Sequence, residues 1–238
     1  MKDTTSRQLV ITRVREQGRD IRSFDMRPEA GGAGGGARAV EFLPGQVASL
    51  RAGGADGRSF YFAFASAPED EELEFLVKRA GDDGKSLYHL RAGDEVALTG
   101  VVGHGFPLDA HKGKDLVMIA MGTGVAPLRS ALRHALARAD DFGQLVVLYG
   151  ARTPDDFCYR DETETWKAAG VELRQVISKP DGYEWAGSTG YVQSLLDHVL
   201  PSLNEPVALI CGSPEMITHT RDRLHEMGLP PEAILTNY

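Results

Sequence analysis

Apolar and polar residues alternate in short bursts along residues 1–110. LVITRV, IRSFDM, QVASLR, FYFAFAS, LEFLVK and EVALTG are short and rich in strand-favouring residues, and several alternate apolar with polar positions. Gly and Pro punctuate them at spacings that suit a small antiparallel β-barrel or sandwich. The glycine run at residues 31–36 reads as a flexible loop, since no strand leads into it and no helical pattern follows.

From residue 113 the rhythm changes. DLVMIAMG is a nearly continuous apolar run, as a strand covered on both faces requires. VAPLRSALRHALARA follows with helical spacing. QLVVLYGA, VELRQVIS, PVALICGS and AILTNY read as further strands, and helical patterns cover residues 159–169, 191–200 and 214–227. Apolar strands alternating with amphipathic helices predict a doubly wound α/β fold with a parallel sheet. The expected organisation is an antiparallel β-barrel over residues 1–111 and an α/β domain over residues 112–238. A short polar bridge at residues 111–114 joins them.

Composition narrows the function. The chain has 238 residues, 42% of them hydrophobic, so two packed domains are affordable. A net charge of -8 argues against broad nucleic-acid binding and against an anionic membrane surface. No apolar run approaches the roughly 18–20 residues of a membrane helix. The first ten residues, MKDTTSRQLV, lack the apolar stretch of a signal peptide, so the cytoplasm is the expected compartment. Two cysteines, Cys158 and Cys211, cannot build a disulfide framework or supply the thiolates of an iron–sulfur cluster. The histidines form no HxxxH or HExxH pair, so no metal site is expected.

In an open parallel sheet, ligands bind beyond the carboxyl ends of the strands. Gly122-Thr123-Gly124-Val125-Ala126-Pro127 follows a strand and opens a helix. Its glycines allow a tight turn and close approach of a pyrophosphate, and Pro127 suits a first helical turn. An ordinary strand–helix turn would share some of these features, but the context favours nucleotide binding. Gly124→Val should then block the nucleotide with little change in melting temperature. Cys211-Gly212-Ser213-Pro214-Glu215-Met216 ends another strand. Helix capping explains Ser213, Pro214 and Glu215; it does not explain Cys211 and Gly212 at the strand tip. Tyr238, after the last strand, is equally a core plug or a lid over a planar ligand. Gly84-Lys85-Ser86 before SLYHLRAG reads on its own as a capped surface turn.

Taken together, these segments resemble the ferredoxin–NADP reductase superfamily, a flavin-binding antiparallel barrel followed by a nucleotide-binding α/β domain. Phe42-Leu43-Pro44-Gly45-Gln46 is similar to the family's FxPGQ segment, and Phe64-Ala65-Ser66 to the end of its RxYSxxS strand. Gly84-Lys85-Ser86 resembles the segment that holds the flavin phosphates. The run from Gly100 to Phe106 is similar to GPxGxxF, and residues 122–127 match the nucleotide motif. Tyr149-Gly150-Ala151-Arg152 and Gly190-Tyr191-Val192 fit later strand ends, and the Cys211 segment is close to CGPPxM. Three positions of the RxYSxxS segment depart from the pattern. Phe60 stands where the family has a phosphate-pairing arginine, Phe62 on its ring-stacking tyrosine and Ala63 on its hydroxyl residue. Losing such a charge-assisted contact costs on the order of 1.5–3 kcal/mol, roughly ten- to a hundredfold in affinity. Thr236 takes the place of an acidic residue found in some members.

The resemblance implies hydride exchange between a nicotinamide dinucleotide and FAD, with FMN as an alternative flavin. It implies Gly122, Thr123, Gly124 and Pro127 at the pyrophosphate, with Arg152, Gly212, Ser213 and Met216 on the nucleotide. Cys211 is implied beside the nicotinamide and Tyr238 over the flavin. Phe62, Ala63, Phe64 and Ser66 are implied at the flavin itself. The protein's part is to hold two rings face to face. Arg152 and Ser178-Lys179 suit a 2′-phosphate, whereas Asp155 and Asp156 oppose one, and the balance favours NADH over NADPH. The implied partners are the dinucleotide and a separate redox protein or small acceptor. Two alternatives follow from Phe60, Ala63 and Thr236: an interaction subunit holding flavin weakly or not at all, and a reductase that uses flavin as a diffusible substrate.

Overall fold

The computed structural model describes residues 6–29, 40–53, 57–79 and 87–238. Six strands come first: β1 (Arg7–Gly18), β2 (Ile21–Pro28), β3 (Val47–Arg51), β4 (Ser59–Ala63), β5 (Leu73–Lys78) and β6 (Glu95–Val102). They pair antiparallel in the order β4-β3-β6-β1-β2-β5. A bridge between Phe64 and Phe75 joins the two outer strands, and the Ala65 N–H donates to the Glu74 carbonyl at 2.8 Å. The sheet closes on itself around Leu9, Phe24, Met26, Leu50, Phe75 and Leu98. These are the inward members of the alternating pattern.

The second half holds β7 (Leu116–Met121), β8 (Leu145–Ala151), β9 (Glu172–Ile177), β10 (Ser188–Thr189), β11 (Val207–Cys211) and β12 (Ile234–Thr236). All pairs are parallel, in the order β10-β9-β8-β7-β11-β12. Helix α1 (Val125–Leu136) and the short α2 (Thr163–Ala168) cover one face, while α3 (Leu196–Val199) and α4 (Pro214–Glu226) cover the other. After β7 the chain goes to β8 on one side, and β11 later joins on the other. The order therefore reverses at β7, where the helices leave the sheet in opposite directions and open a crevice.

Two predicted helices are shorter than their patterns. Tyr159 takes a left-handed conformation at φ 56°, so residues 159–169 divide into a 3-10 turn, Arg160–Glu162, and α2. Residues 191–200 divide into the 3-10 turn Val192–Leu195 and α3. The two-residue β10 carries no sequence signal, and SLYHLRAG yields the 3-10 turn Leu87–His89. The glycine run at 31–36 lies outside the described residues. No helix among the described residues is long and apolar enough to cross a membrane.

The two halves pack closely along α1. Ten of its 12 residues are buried, including Arg129, Ser130 and His134. These polar side chains point away from the sheet and are covered by the barrel. The Gly45 N–H donates to Ser130 Oγ at 3.2 Å, and Arg129 Nη1 donates to the Ala65 carbonyl at 2.8 Å. His134 Nδ1 lies 2.6 Å from Glu69 Oε1. At the carboxyl end the buried Asn237 donates from Nδ2 to the Gly45 carbonyl at 3.0 Å, and its own carbonyl accepts from the Gly105 N–H at 3.3 Å.

Candidate functional site

Between the barrel and the crevice at β7 lies a cleft of about 1610 Å³. Its α/β-domain wall begins where β7 ends. The 3-10 turn Gly122–Gly124 leads directly into α1. Gly122 adopts φ +55°, a conformation that favours glycine, and a Cβ added there would meet no atom within 4 Å. Gly124 is different. A Cβ on it would fall 2.3 Å from the Cys211 carbonyl oxygen and 2.9 Å from the Gly212 nitrogen. Glycine at 124 is thus required by the close approach of the β7 and β11 ends. The expectation that Gly124→Val changes the melting temperature little is corrected by this contact. Pro127 sits buried in the first turn of α1, on the cleft lining.

The end of β11 forms the neighbouring part of that wall. Cys211, Gly212, Ser213 and Met216 all line the cleft. Ser213 caps α4, its Oγ accepting from the Met216 N–H at 3.2 Å, with Pro214 in the first turn. A Cβ on Gly212 would meet Met216 Cε at 2.4 Å and Met121 Cβ, at the end of β7, at 3.1 Å, so this loop lies close against β7. Burial pushes the Cys211 thiol up to about 12. At neutral pH it is therefore a neutral thiol that shapes the crevice, not a nucleophilic thiolate.

β8 and β9 supply the third part. Arg152 and Lys179 line the cleft at adjoining strand ends, where the Lys179 N–H donates to the Arg152 carbonyl at 2.8 Å. Among the described residues, neither side chain has a hydrogen-bond or ion-pair partner. Asp156 is turned into a cap and accepts from the Thr153 N–H at 3.0 Å and Thr153 Oγ1 at 2.7 Å. Asp155 sits 3.9 Å from both Arg19 and Arg160.

The barrel contributes the opposite wall through Tyr61, Phe62, Ala63, Ile21 and Leu76. Tyr61 is 64% exposed. No motif pointed to it; strand alternation could have, because it faces opposite to Phe60 and Phe62, which pack partly on the barrel core. This aromatic and aliphatic wall fits a planar ring. Phe64 and Ser66 do not belong to it. Phe64 is fully buried and stacked on Phe42 at 3.9 Å, because the chain turns inward where the barrel closes. Ser66 Oγ accepts from the Glu74 N–H at 3.0 Å on the far side of the strand. Phe60 also lies off the cleft, and the Arg58 guanidinium stands 5.6 Å from its ring centroid. Gly84, Lys85 and Ser86 lie outside the described residues. Tyr238 is 61% exposed, so it is no core plug, and it stands outside the cleft lining. Arg19 reaches over from the β1–β2 turn and donates to Tyr183 Oη at 3.1 Å, at the cleft edge. Sequence reasoning missed that contact because it joins residues 164 positions apart.

A closed barrel presenting an aromatic wall to the crevice of a doubly wound sheet defines a two-domain flavin–nicotinamide reductase. Residues 118–222 match the family model of the oxidoreductase NAD-binding domain. The chain is 33% identical over 179 residues to ferredoxin–NADP reductase B of Sorangium cellulosum, covering 71% of this chain and 73% of that protein. It is 28% identical over 207 residues to the γ subunit of sulfhydrogenase 2 of Pyrococcus furiosus, covering 81% of this chain and 70% of the relative. Among solved structures, the Amycolatopsis cytochrome P450 reductase GcoB superposes with a TM-score of 0.82 at 26% identity, over 98% of this chain and 69% of that one. The chain belongs to the ferredoxin–NADP reductase superfamily, whose members bind FAD and NAD(P)H, and it is an NAD(P)H-dependent oxidoreductase. It spans roughly two thirds of the length of the curated relatives it matches.

Proposed function

We propose that this chain carries hydride from NADPH to FAD across the interdomain cleft and hands the electrons to a separate redox protein or small acceptor. The observation that carries the reading is the pairing of two walls in one cleft: Gly122, Thr123, Cys211 and Gly212 opposite Tyr61 and Phe62. A flavin bound there would supply the hydride-accepting and electron-releasing chemistry. Residues 1–111 form the flavin-binding unit in this reading, and residues 112–238 the nucleotide-binding unit. The turn at Gly122 and Thr123 offers N–H groups and the α1 N-terminus to the diphosphate. Cys211 fills the space beside the nicotinamide without carrying charge. Tyr61 and Phe62 offer faces on which the flavin ring can lie, and the apolar wall keeps water away from the transfer.

The choice of NADPH departs from the balance of charges in the sequence. Asp156 is held by its Thr153 cap, and Asp155 faces two arginines, while Arg152 and Lys179 have no side-chain partner among the described residues. Two such cations at one pair of strand ends suit a 2′-phosphate. Arg152→Ala should raise KM for NADPH about tenfold and leave KM for NADH nearly unchanged, because a hydrogen bond to a charged group is worth about 1.5–3 kcal/mol. Steady-state kinetics with both nucleotides check this. A wild-type preference for NADH, or an equal effect on both, would contradict the assignment.

One observation favours a second reading, in which flavin is a diffusible substrate. Phe60, on β4 where the family has its phosphate-pairing arginine, packs partly on the barrel core. The flavin dissociation constant separates the two.

A further inference from the structure

We propose that Tyr149 is a positioning residue for the nucleotide diphosphate, acting through the Gly122–Thr123 peptide; the proposal rests on the nucleotide reading above. Tyr149 lies on β8 with 1% of its surface exposed, packed edge-on against Phe157 at 4.9 Å. Its hydroxyl donates to the Gly122 carbonyl at 3.0 Å and accepts from the Cys158 N–H at 3.1 Å. Both capacities of the hydroxyl are used, so its orientation is fixed. Burial raises its pKa well above the ordinary tyrosine value, so it remains a donor throughout the neutral range.

The consequence lies in peptide geometry. In a trans peptide the carbonyl and the following N–H point in opposite directions. Drawing the Gly122 carbonyl down to a buried hydroxyl turns the Thr123 N–H the other way, toward the cleft that Gly122 and Thr123 line. The same carbonyl also accepts from the Val125 N–H, which ties the turn to the start of α1. Gly122 can hold this arrangement because its φ of +55° is open to glycine and no neighbour crowds the position. A side chain that touches no ligand thereby aims a backbone donor at the phosphates.

The test uses ADP-ribose, which carries the diphosphate without the nicotinamide. Tyr149→Phe keeps the ring and removes the hydroxyl. Its Kd for ADP-ribose should rise about fivefold, the worth of one hydrogen bond. KM for NADPH should rise in step, while FAD affinity and the rate at saturating NADPH should stay within about twofold. Unchanged ADP-ribose affinity in the variant, with normal affinity in the wild type, overturns the role of Tyr149 alone. Equal weakening of FAD and ADP-ribose makes the residue a packing element and overturns it as well. No binding by the wild-type chain overturns both this inference and the nucleotide reading. A measurement on the wild type needs no variant: the Thr123 amide proton should move downfield when ADP-ribose is added, and an unmoved resonance overturns the proposal.

Discussion

Replacing Arg129 by Met should destabilise the protein by roughly 3–5 kcal/mol and lower Tm by about 10 °C. Arg129 is 5% exposed. Its guanidinium donates from Nη1 to the Ala65 carbonyl at 2.8 Å and grips Glu162 through Nε at 2.8 Å and Nη2 at 2.5 Å. Nη1 also lies 2.9 Å from Glu74 Oε2, and the guanidinium carbon sits 4.4 Å from the Tyr159 ring centroid. Removing the cation leaves the buried Glu74 with Arg15, 2.9 Å away, as its remaining close cation among the described residues. Burial already pushes the Glu74 carboxyl above the usual range, with Arg129 opposing that shift. Without Arg129 the folded protein would hold the Glu74 proton more tightly still. The sign follows: a carboxyl raised on folding favours the native state at low pH, and that advantage is lost as pH rises through its folded pKa. The variant's deficit should therefore be larger at pH 8 than at pH 5. Thermal melts at both values check this; a Tm within about 2 °C of wild type at pH 8 would contradict the assignment. Arg129→Lys should recover only part of the loss, since an ammonium cannot reproduce the two-pronged contact with Glu162.

Gly124→Val should damage stability and nucleotide binding together, and Gly124→Ala should already do much of the harm. The offending atom is the Cβ itself, 2.3 Å from the Cys211 carbonyl oxygen and 2.6 Å from its carbon. These are backbone atoms at the end of β11, so no side chain can swing aside. The β7 and β11 ends must separate, at a cost of about 1–3 kcal/mol and a Tm lower by roughly 5 °C. The same separation displaces Gly122 and Thr123 from Gly212, and nucleotide affinity should fall more than about tenfold. Melting curves and ADP-ribose titration read the two effects. A variant with wild-type Tm would refute the steric account, whatever its affinity.

These two residues mark where sequence reasoning reached and where it stopped. The six barrel strands and the five longer-patterned strands of the α/β half were visible because each is a short run of strand-favouring residues bounded by turn or helix signals. The strand-end motifs around Gly122, Arg152 and Cys211 were visible too, since a glycine between an apolar strand and a helix is a local feature. Gly124 was noticed as part of the strand-end turn, but the contact that demands glycine there is with Cys211, far away in the chain. Arg129, Ser130 and His134 carry no local signal of burial in the sequence, and packing against the barrel buries them. Phe64 and Ser66 sat inside a motif, yet barrel closure at the Phe64–Phe75 bridge turns them away from the cleft. Tyr61 escaped for the opposite reason, lying between two motif positions on the other face of its strand. Local patterns were legible; contacts across the domain boundary were not.

The central claim is hydride transfer from NADPH to a flavin held by this chain, and an anaerobic absorbance titration tests it most directly. The purified protein, incubated with FAD and freed of excess, should retain a visible flavin band, and stoichiometric NADPH should bleach it, with NADH slower. A folded protein that binds ADP-ribose but retains no flavin, or whose bound flavin is bleached by neither nucleotide, would contradict the account.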